Sequence, residues 1–310
     1  MARHLVHIGY PKAASTFLQL WFTGHPQLRY VPGGIAGFAN VYELSRSLGD
    51  SPPMYYVTSD EGLSSPAASV DHATLAEPGG AGVPDLVPIK RTQASVCARL
   101  KDMLPESRIL IVTRGFKGII MSGYSQYVRS GGVMHLRDMC EFLGTCLDED
   151  EYHFYDFDYF VGLYAGAFGE ENVVVVPFEL LRDDQAAFLA VLEERLGLRH
   201  HEVTLDRPNP SLSWAELYWY PTISKAVSGT ISRVGRSRCG RAYGWYTSRA
   251  TMNNRLRPVV KLLQAFLPDR QIASEDFPSR VLERCRGRAR CLQKDELYAP
   301  YASEYLWDGG

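Results

Sequence analysis

At 310 residues, 45% hydrophobic and 22% charged, the chain has the makeup of a soluble globular protein with room for a substantial core. A net charge of −2 argues against a dedicated nucleic-acid binder, and no stretch reads as a membrane span. Six cysteines without CxxC pairs or metal-type spacing point to reduced thiols, a cytoplasmic setting and no metal centre, and the apolar run before Gly9 is too short for a signal peptide.

The first segment is the most informative. His4 to Ile8 reads as a short buried strand, Gly9 and Pro11 punctuate its end, and Ser15 or Thr16 opens a helix that runs through Phe22. Such a junction turns several backbone N–H groups toward one point, backed by the positive end of the helix dipole, and so binds anions. Lys12 adds a mobile charge, and Ser15 and Thr16 add hydroxyl donors; the same letters also suit an ordinary strand–loop–helix with a solvated lysine. The order is not G-x-x-x-x-G-K-[ST], because Lys12 comes early and is followed by Ala13, Ala14 and then the Ser15-Thr16 pair. Tyr10-Pro11-Lys12-Ala13-Ala14-Ser15-Thr16-Phe17-Leu18 resembles the 5′-phosphosulfate loop of the sulfotransferases that use 3′-phosphoadenosine 5′-phosphosulfate (PAPS).

The first helix ends near His25-Pro26, and a Gly-rich connection over residues 31–38 leads to a short helix near 41–48. Met54 to Thr58 reads as a second strand, ending in Ser59-Asp60-Glu61-Gly62-Leu63. A carboxylate at such a strand end lies where open α/β sheets place ligands. The resemblance implies a general base after this strand. Glu61 is the first candidate, Asp60 and His72 are the alternatives, and either acidic residue could instead cap the next turn. Residues 64–90, rich in Pro, Gly, Ala and Ser, read as a loop covering an acceptor.

Residues 91–104 have helical spacing, and Arg108 to Arg114 is the clearest strand, followed by a helix to Arg129. An arginine at a strand end and a serine eight residues on can converge on one phosphate. Arg114 and Ser122 resemble the two key positions of the same family's 3′-phosphate site, with Gly115-Phe116 in place of the usual Asn-Pro or Asp-Pro. Two separate anion sites suit a nucleotide with two phosphate groups. ATP and NAD do not call for that arrangement.

Residues 135–147 read as a helix. The acidic run from Asp148 to Asp158 lacks the EF-hand pattern and reads as a solvated turn before an aromatic helix over 160–168. Asn172 to Val176 is a fourth buried strand, and Pro177-Phe178-Glu179-Leu180-Leu181 resembles the Tyr-Glu-Asp-Leu segment that closes it in the family. By that resemblance Phe178 brackets the adenine and Phe17 stacks on its other face, although both also suit a core. Residues 211–226 form an aromatic helix. Between Lys225 and Arg257 stand eight basic residues and no acidic ones, a candidate basic flap over the 3′-phosphate, an anion-docking patch or an exposed surface. Helices over 256–266 and 279–293 complete the chain, the second carrying Cys285 and Cys291 on different faces.

The expectation is one α/β domain with a mainly parallel sheet, helices on both faces and a helical C-terminal part. By resemblance its fold is that of the P-loop-like sulfotransferases. The activity implied is transfer of a sulfo group from PAPS to a hydroxyl, less readily an amine, of a small organic acceptor such as a secondary metabolite, sugar or lipid. The product would be 3′-phosphoadenosine 5′-phosphate (PAP). Lys12 and the amides of Ala13, Ala14, Ser15, Thr16 and Phe17 would hold the phosphosulfate, Arg114 and Ser122 the 3′-phosphate, and no metal is called for. A nucleotide kinase of the same broad build and an inactive nucleotide-binding relative are the competing readings. A homodimer is compatible with the sequence.

Overall fold

Five strands form one sheet in a computed structural model that describes residues 3–10, 12–32, 53–64, 88–202, 212–231, 236–272 and 277–307. They are β1 (Arg3–Ile8), β2 (Leu28–Tyr30), β3 (Tyr55–Asp60), β4 (Arg108–Thr113) and β5 (Val173–Pro177), in the order β2-β3-β1-β4-β5. Every neighbouring pair is parallel. Continuous burial of Ile109 to Val112 in β4 and of Leu5 to Ile8 in β1 is what a parallel strand covered on both faces requires. Leu28 to Tyr30 is too short to display a period of two, which is why the pattern does not announce β2.

Helix α1 (Ser15–Gly24) leads from β1 to β2, and α2 (Ile89–Met103) precedes β4. Helices α3 (Phe116–Arg129), α4 (Leu136–Cys146) and α5 (Phe157–Phe168) fill the passage from β4 to β5. From β1 the chain steps outward to β2, and from β3 it moves the opposite way across β1 to β4 and β5. Right-handed crossovers then put α1 on one face and α2 to α5 on the other. Two short helices follow β5, α6 (Phe178–Asp183) and α7 (Gln185–Leu196); α7 joins α1 through an edge-to-face contact of Phe17 with Phe188 at 6.3 Å.

The C-terminal part comprises α8 (Trp214–Ile231), α9 (Arg236–Tyr246), a π-helical turn over Thr247–Thr251, α10 (Arg257–Phe266) and α11 (Ser279–Cys285). The helix expected over 279–293 stops at Cys285, because Gly287 turns left-handed at φ 75° and a 3₁₀ turn takes over from Arg290. Cys285 and Cys291 therefore sit on separate elements. The chain's end returns to the sheet, where the Tyr298 and Tyr305 hydroxyls bond Thr113 Oγ1 at 2.8 and 2.9 Å at the tip of β4.

The acidic run is an ion-pair network rather than a solvated turn. Asp156 is buried and takes Lys90 and Arg288 at 2.7 Å each, Asp150 shares both cations, and Asp148 pairs with Arg280 and Arg284. The helix expected near 41–48, His72 and most of the expected acceptor-covering loop lie outside the described residues.

Candidate active site at the strand ends

Lys12, Glu61, Arg114 and Phe178 each follow a strand at its C-terminal end, so the four loops share one edge of the sheet. β1 and β4 are neighbours whose following helices leave toward opposite faces, and the crevice this opens is where parallel α/β sheets bind ligands.

The turn after β1 is wound tightly. Lys12 and Ala14 both adopt left-handed backbone conformations, at φ 70° and 66°, which non-glycine residues rarely hold without a reason. No side chain caps α1, whose first helical bond runs from Leu18 N–H to Ala14 C=O. Its leading N–H groups are thus left to a ligand or solvent. Below them, Tyr10 anchors the turn among Phe154, Phe157 and Phe160, with ring centroids at 4.9–5.2 Å.

Beneath the turn lies a residue that the strand pattern hides. His7 is fully buried, bonds Ser59 Oγ through Nδ1 at 2.8 Å, and burial lowers its pKa to about 3, so it is neutral. Its Nε2 and the Ser15 Oγ are both buried without a hydrogen-bond partner among the described residues. Gly9 is what lets them approach, since an added Cβ there would meet Ser15 Oγ at 2.6 Å and His7 Nε2 at 3.3 Å. Thr16 is exposed beside Ser15, and Ala13 is buried.

The two motifs meet directly. Arg114 Nη1 donates to the Lys12 carbonyl at 2.8 Å, although the residues are 102 apart in sequence. The Arg114 guanidinium lies over the Phe178 ring at 4.3 Å, and its Nε would sit 3.1 Å from a Cβ on Gly118. Gly118, Ser122 and Gln126 follow at intervals of four along α3 and so share a face. The Lys12 Nζ reaches the far end of that stripe, 3.4 Å from Gln126 Oε1. Lys12 therefore spans the face that carries Ser122, with its carbonyl at one end and its ammonium at the other. Burial lowers the Lys12 pKa; Glu61 opposes that, while the nearby Arg129 and Arg114 charges add to it. Burial likewise lowers Arg114, against the pull of Glu179.

Two acidic residues, Glu179 and Glu304, lie close enough to Arg114 to act on its charge. Glu179 is buried, accepts from Gly115 N–H and from the Tyr305 hydroxyl at 2.9 Å each, and has its pKa raised by burial. Glu304 offers its carbonyl to Phe116 N–H at 3.0 Å. That contact accounts for Gly115-Phe116: a proline at 116 has no N–H to donate, and a Cβ at 115 would meet Glu304 Cβ at 2.6 Å.

The strand-end carboxylates separate cleanly. Asp60 Oδ1 accepts from Gly62 N–H at 2.6 Å and caps the turn Glu61–Leu63. The Glu61 side chain has no part in that cap, is half-buried, and acts electrostatically on Lys12. Ser64 ties this turn to the first by donating to the Gly9 carbonyl at 2.6 Å. Phe17 is buried, in contact with Phe188, whereas Phe178 is half-buried beneath Arg114. Of the stretch read as a basic flap, Arg257 is paired with Glu216 at 2.7 Å, and Lys225, Arg241, Arg249 and Arg255 are exposed.

No protein-family profile and no curated protein matches the chain. Solved structures that align with it include a sulfotransferase from Alicyclobacillus acidocaldarius, 15% identical, with 77% of this chain and 95% of that one covered and a TM-score of 0.42. Mouse sulfotransferase SULT7A1 complexed with PAP aligns at 13% identity over 97% of this chain and 88% of that one, with a TM-score of 0.44.

Proposed function

We propose that the chain is a sulfotransferase that takes its sulfo group from PAPS and delivers it to a hydroxyl of a small organic acceptor. The observation that carries this reading is the hydrogen bond from Arg114 to the Lys12 carbonyl, which joins two segments 102 residues apart that the sequence reads as anion-binding. The residues suit such a substrate: an uncapped helix start, a buried unpartnered serine hydroxyl, and two partly desolvated cations whose pKa values are already lowered by burial.

In this reading PAPS supplies an activated sulfo group, and the chain's own groups hold and polarise it. The Ala13 N–H closes the turn onto the Tyr10 carbonyl at 3.1 Å, so the amides from Ala14 to Phe17 and the hydroxyls of Ser15 and Thr16 are the donors left for the 5′-phosphosulfate. Arg114 and Ser122 take the 3′-phosphate, Arg114 through its planar fork and Ser122 through its hydroxyl. Phe178, with Arg114 on one face, borders the adenine. When the sulfur–oxygen bond breaks, negative charge grows on the phosphate oxygen left behind, and the Lys12 ammonium is the cation that stabilises it. Glu61 accepts the proton of the acceptor hydroxyl as that oxygen attacks sulfur. Asp60 is committed to its cap, so Glu61 is the base we favour at this turn.

The reading is tested by titrating the purified chain with PAP in a calorimeter and by incubating it with PAPS and a panel of hydroxylated acceptors. Heat on PAP addition and acceptor-dependent release of PAP are expected. No heat with PAP, or turnover of ATP that requires Mg²⁺ instead, overturns it.

A further inference from the structure

The exposed apolar side chains of this molecule are concentrated in one stretch. Six of the ten large apolar residues that stand exposed among the described residues fall between Trp245 and Leu267. Leu256, just before α10, and Val260 and Leu263 within it pack inward, and Trp219 Nε1 and Arg257 fix the helix by bonding Gln264 Oε1 at 3.3 Å and Glu216 at 2.7 Å. A second stripe of Val259, Leu262 and Phe266 faces solvent, with Leu262 61% and Phe266 76% exposed. The helix is apolar over a wider arc than the core covers.

The turns before it repeat the pattern. The inner side of α9 and the π-turn is pinned to the end of α3: Tyr243 donates to the Gly131 carbonyl, and Thr251 to the Arg129 carbonyl at 2.5 Å. The outer side carries Arg241, Trp245 and Arg249 at intervals of four, with Trp245 67% exposed. Arg241, Arg249, Arg255 and Lys261 are all exposed and have no carboxylate partner among the described residues. From Lys225 to Pro268 the sequence holds nine basic residues and no acidic one, in a chain whose net charge is −2.

We propose that the outward face of α9 and α10 is a docking surface for an anionic lipid bilayer. Exposed Trp245 between Arg241 and Arg249 on one segment, and exposed Leu262 and Phe266 beside Lys261 on the next, give each the composition of a helix that lies in the membrane interface, its apolar residues among the acyl chains and its cations at the phosphates. Ten residues in α10 make a segment of about 15 Å, too short to span, so the contact is peripheral. A partner protein selected by apolar contact alone gives no reason for a 44-residue stretch without a single carboxylate; an anionic surface does. Because α9 and the π-turn are pinned to the C-terminal end of α3, close in sequence to Gln126, which Lys12 reaches, docking would bring the strand-end crevice close to the bilayer.

The test is co-sedimentation of the full chain with vesicles of phosphatidylglycerol and phosphatidylcholine in equal parts, beside vesicles of phosphatidylcholine alone. Binding to the anionic vesicles is expected, at least tenfold weaker to the neutral ones and weaker again at 0.5 M salt. L262E/F266E should cut binding to anionic vesicles at least tenfold with its melting temperature unchanged, both side chains being exposed. R241E/R249E should do the same through charge, so a folding defect in one variant leaves the other to decide. The proposal is overturned if the wild type stays in the supernatant, if it binds both vesicles equally, or if either folded variant binds like the wild type. It is also overturned if L262E/F266E merely splits a dimer that itself ignores vesicles, since the face is then an interface between copies. Vesicle binding is read without any turnover, so this test stands apart from the one for sulfo transfer.

Discussion

Two lysines at the edges of this fold show how differently one side chain can be used. Lys90 sits between Asp150 and Asp156, at 2.9 and 2.7 Å, with the Tyr159 ring 4.7 Å from its Nζ. Lys12 has a neutral amide as its close side-chain partner, 3.4 Å away, on a backbone held left-handed, with Arg114 and Arg129 adding positive charge around it. The countercharge for Lys90 is built into the chain. Lys12 pairs with no carboxylate among the described residues; Glu61, Arg129 and Arg114 reach it only through their charge, which leaves its ammonium available to the anionic group proposed above.

The largest expected effect breaks this comparison at its functional end. Lys12→Ala should lower turnover about 10³-fold, roughly 4 kcal/mol of transition-state stabilisation, and leave the melting temperature unchanged. Lys90→Ala should do the reverse: Asp156 keeps Arg288 but loses half its pairing, so unfolding becomes easier by about 2–3 kcal/mol while turnover per folded molecule stays within a few-fold. Steady-state rates and denaturant unfolding on both variants decide it. If Lys12→Ala loses stability and keeps its rate, the two lysines have been assigned the wrong way round.

Next in size is Glu61→Gln, which removes the proposed base without changing shape. A fall of about 10² in kcat is expected, with PAP affinity measured by calorimetry unchanged. Arg114→Ala should act on binding instead, weakening PAP about 30-fold, or roughly 2 kcal/mol, as a charge-assisted contact is lost.

What the letters alone reveal follows from how far apart the cooperating residues stand. The Lys12 turn is legible as a turn because strand, glycine, lysine and helix start are contiguous; Arg114 is legible as a strand-end residue, while its partnership with Ser122 remains part of the proposal. Gln126 and Arg129 are not legible, since nothing local says which face of α3 turns toward a loop more than a hundred residues earlier. Glu304 joins the site only when the C-terminus returns to β4, through Tyr298 and Tyr305 on Thr113. His7 is masked by its place in a buried run whose other members are Leu5, Val6 and Ile8. The break after Cys285 depends on the left-handed Gly287, and glycine in a helical pattern is not by itself a stop.

Phe116→Pro sharpens the reading of the departure after Arg114. It restores the proline usual in the sulfotransferases this segment resembles, yet removes the N–H that holds the Glu304 carbonyl at 3.0 Å. It also takes a fully buried ring out of contact with Phe157 and Tyr305, so a loss of about 4 kcal/mol or more in unfolding free energy is expected. Phe116→Ala, which loses the ring and keeps the N–H, should fall short of that by about 1 kcal/mol; equal losses would mean that the C-terminal return is not fastened there.

The smallest effect carries the finest distinction, since Asp60 and Glu61 are adjacent carboxylates at one strand end. Asp60→Ala deletes the acceptor that takes Gly62 N–H at 2.6 Å, and a lost cap of this kind costs about 1 kcal/mol of stability. Its turnover should stay within a few-fold of wild type, because the Glu61 carbonyl still accepts from Ser64 and Ser64 still bonds Gly9, keeping the turn beside the Lys12 loop. If Asp60→Ala instead matched Glu61→Gln in kcat with PAP binding intact, Asp60 would have left its cap to face the acceptor. The base would then be the residue whose hydrogen bond the resting structure spends on its own backbone.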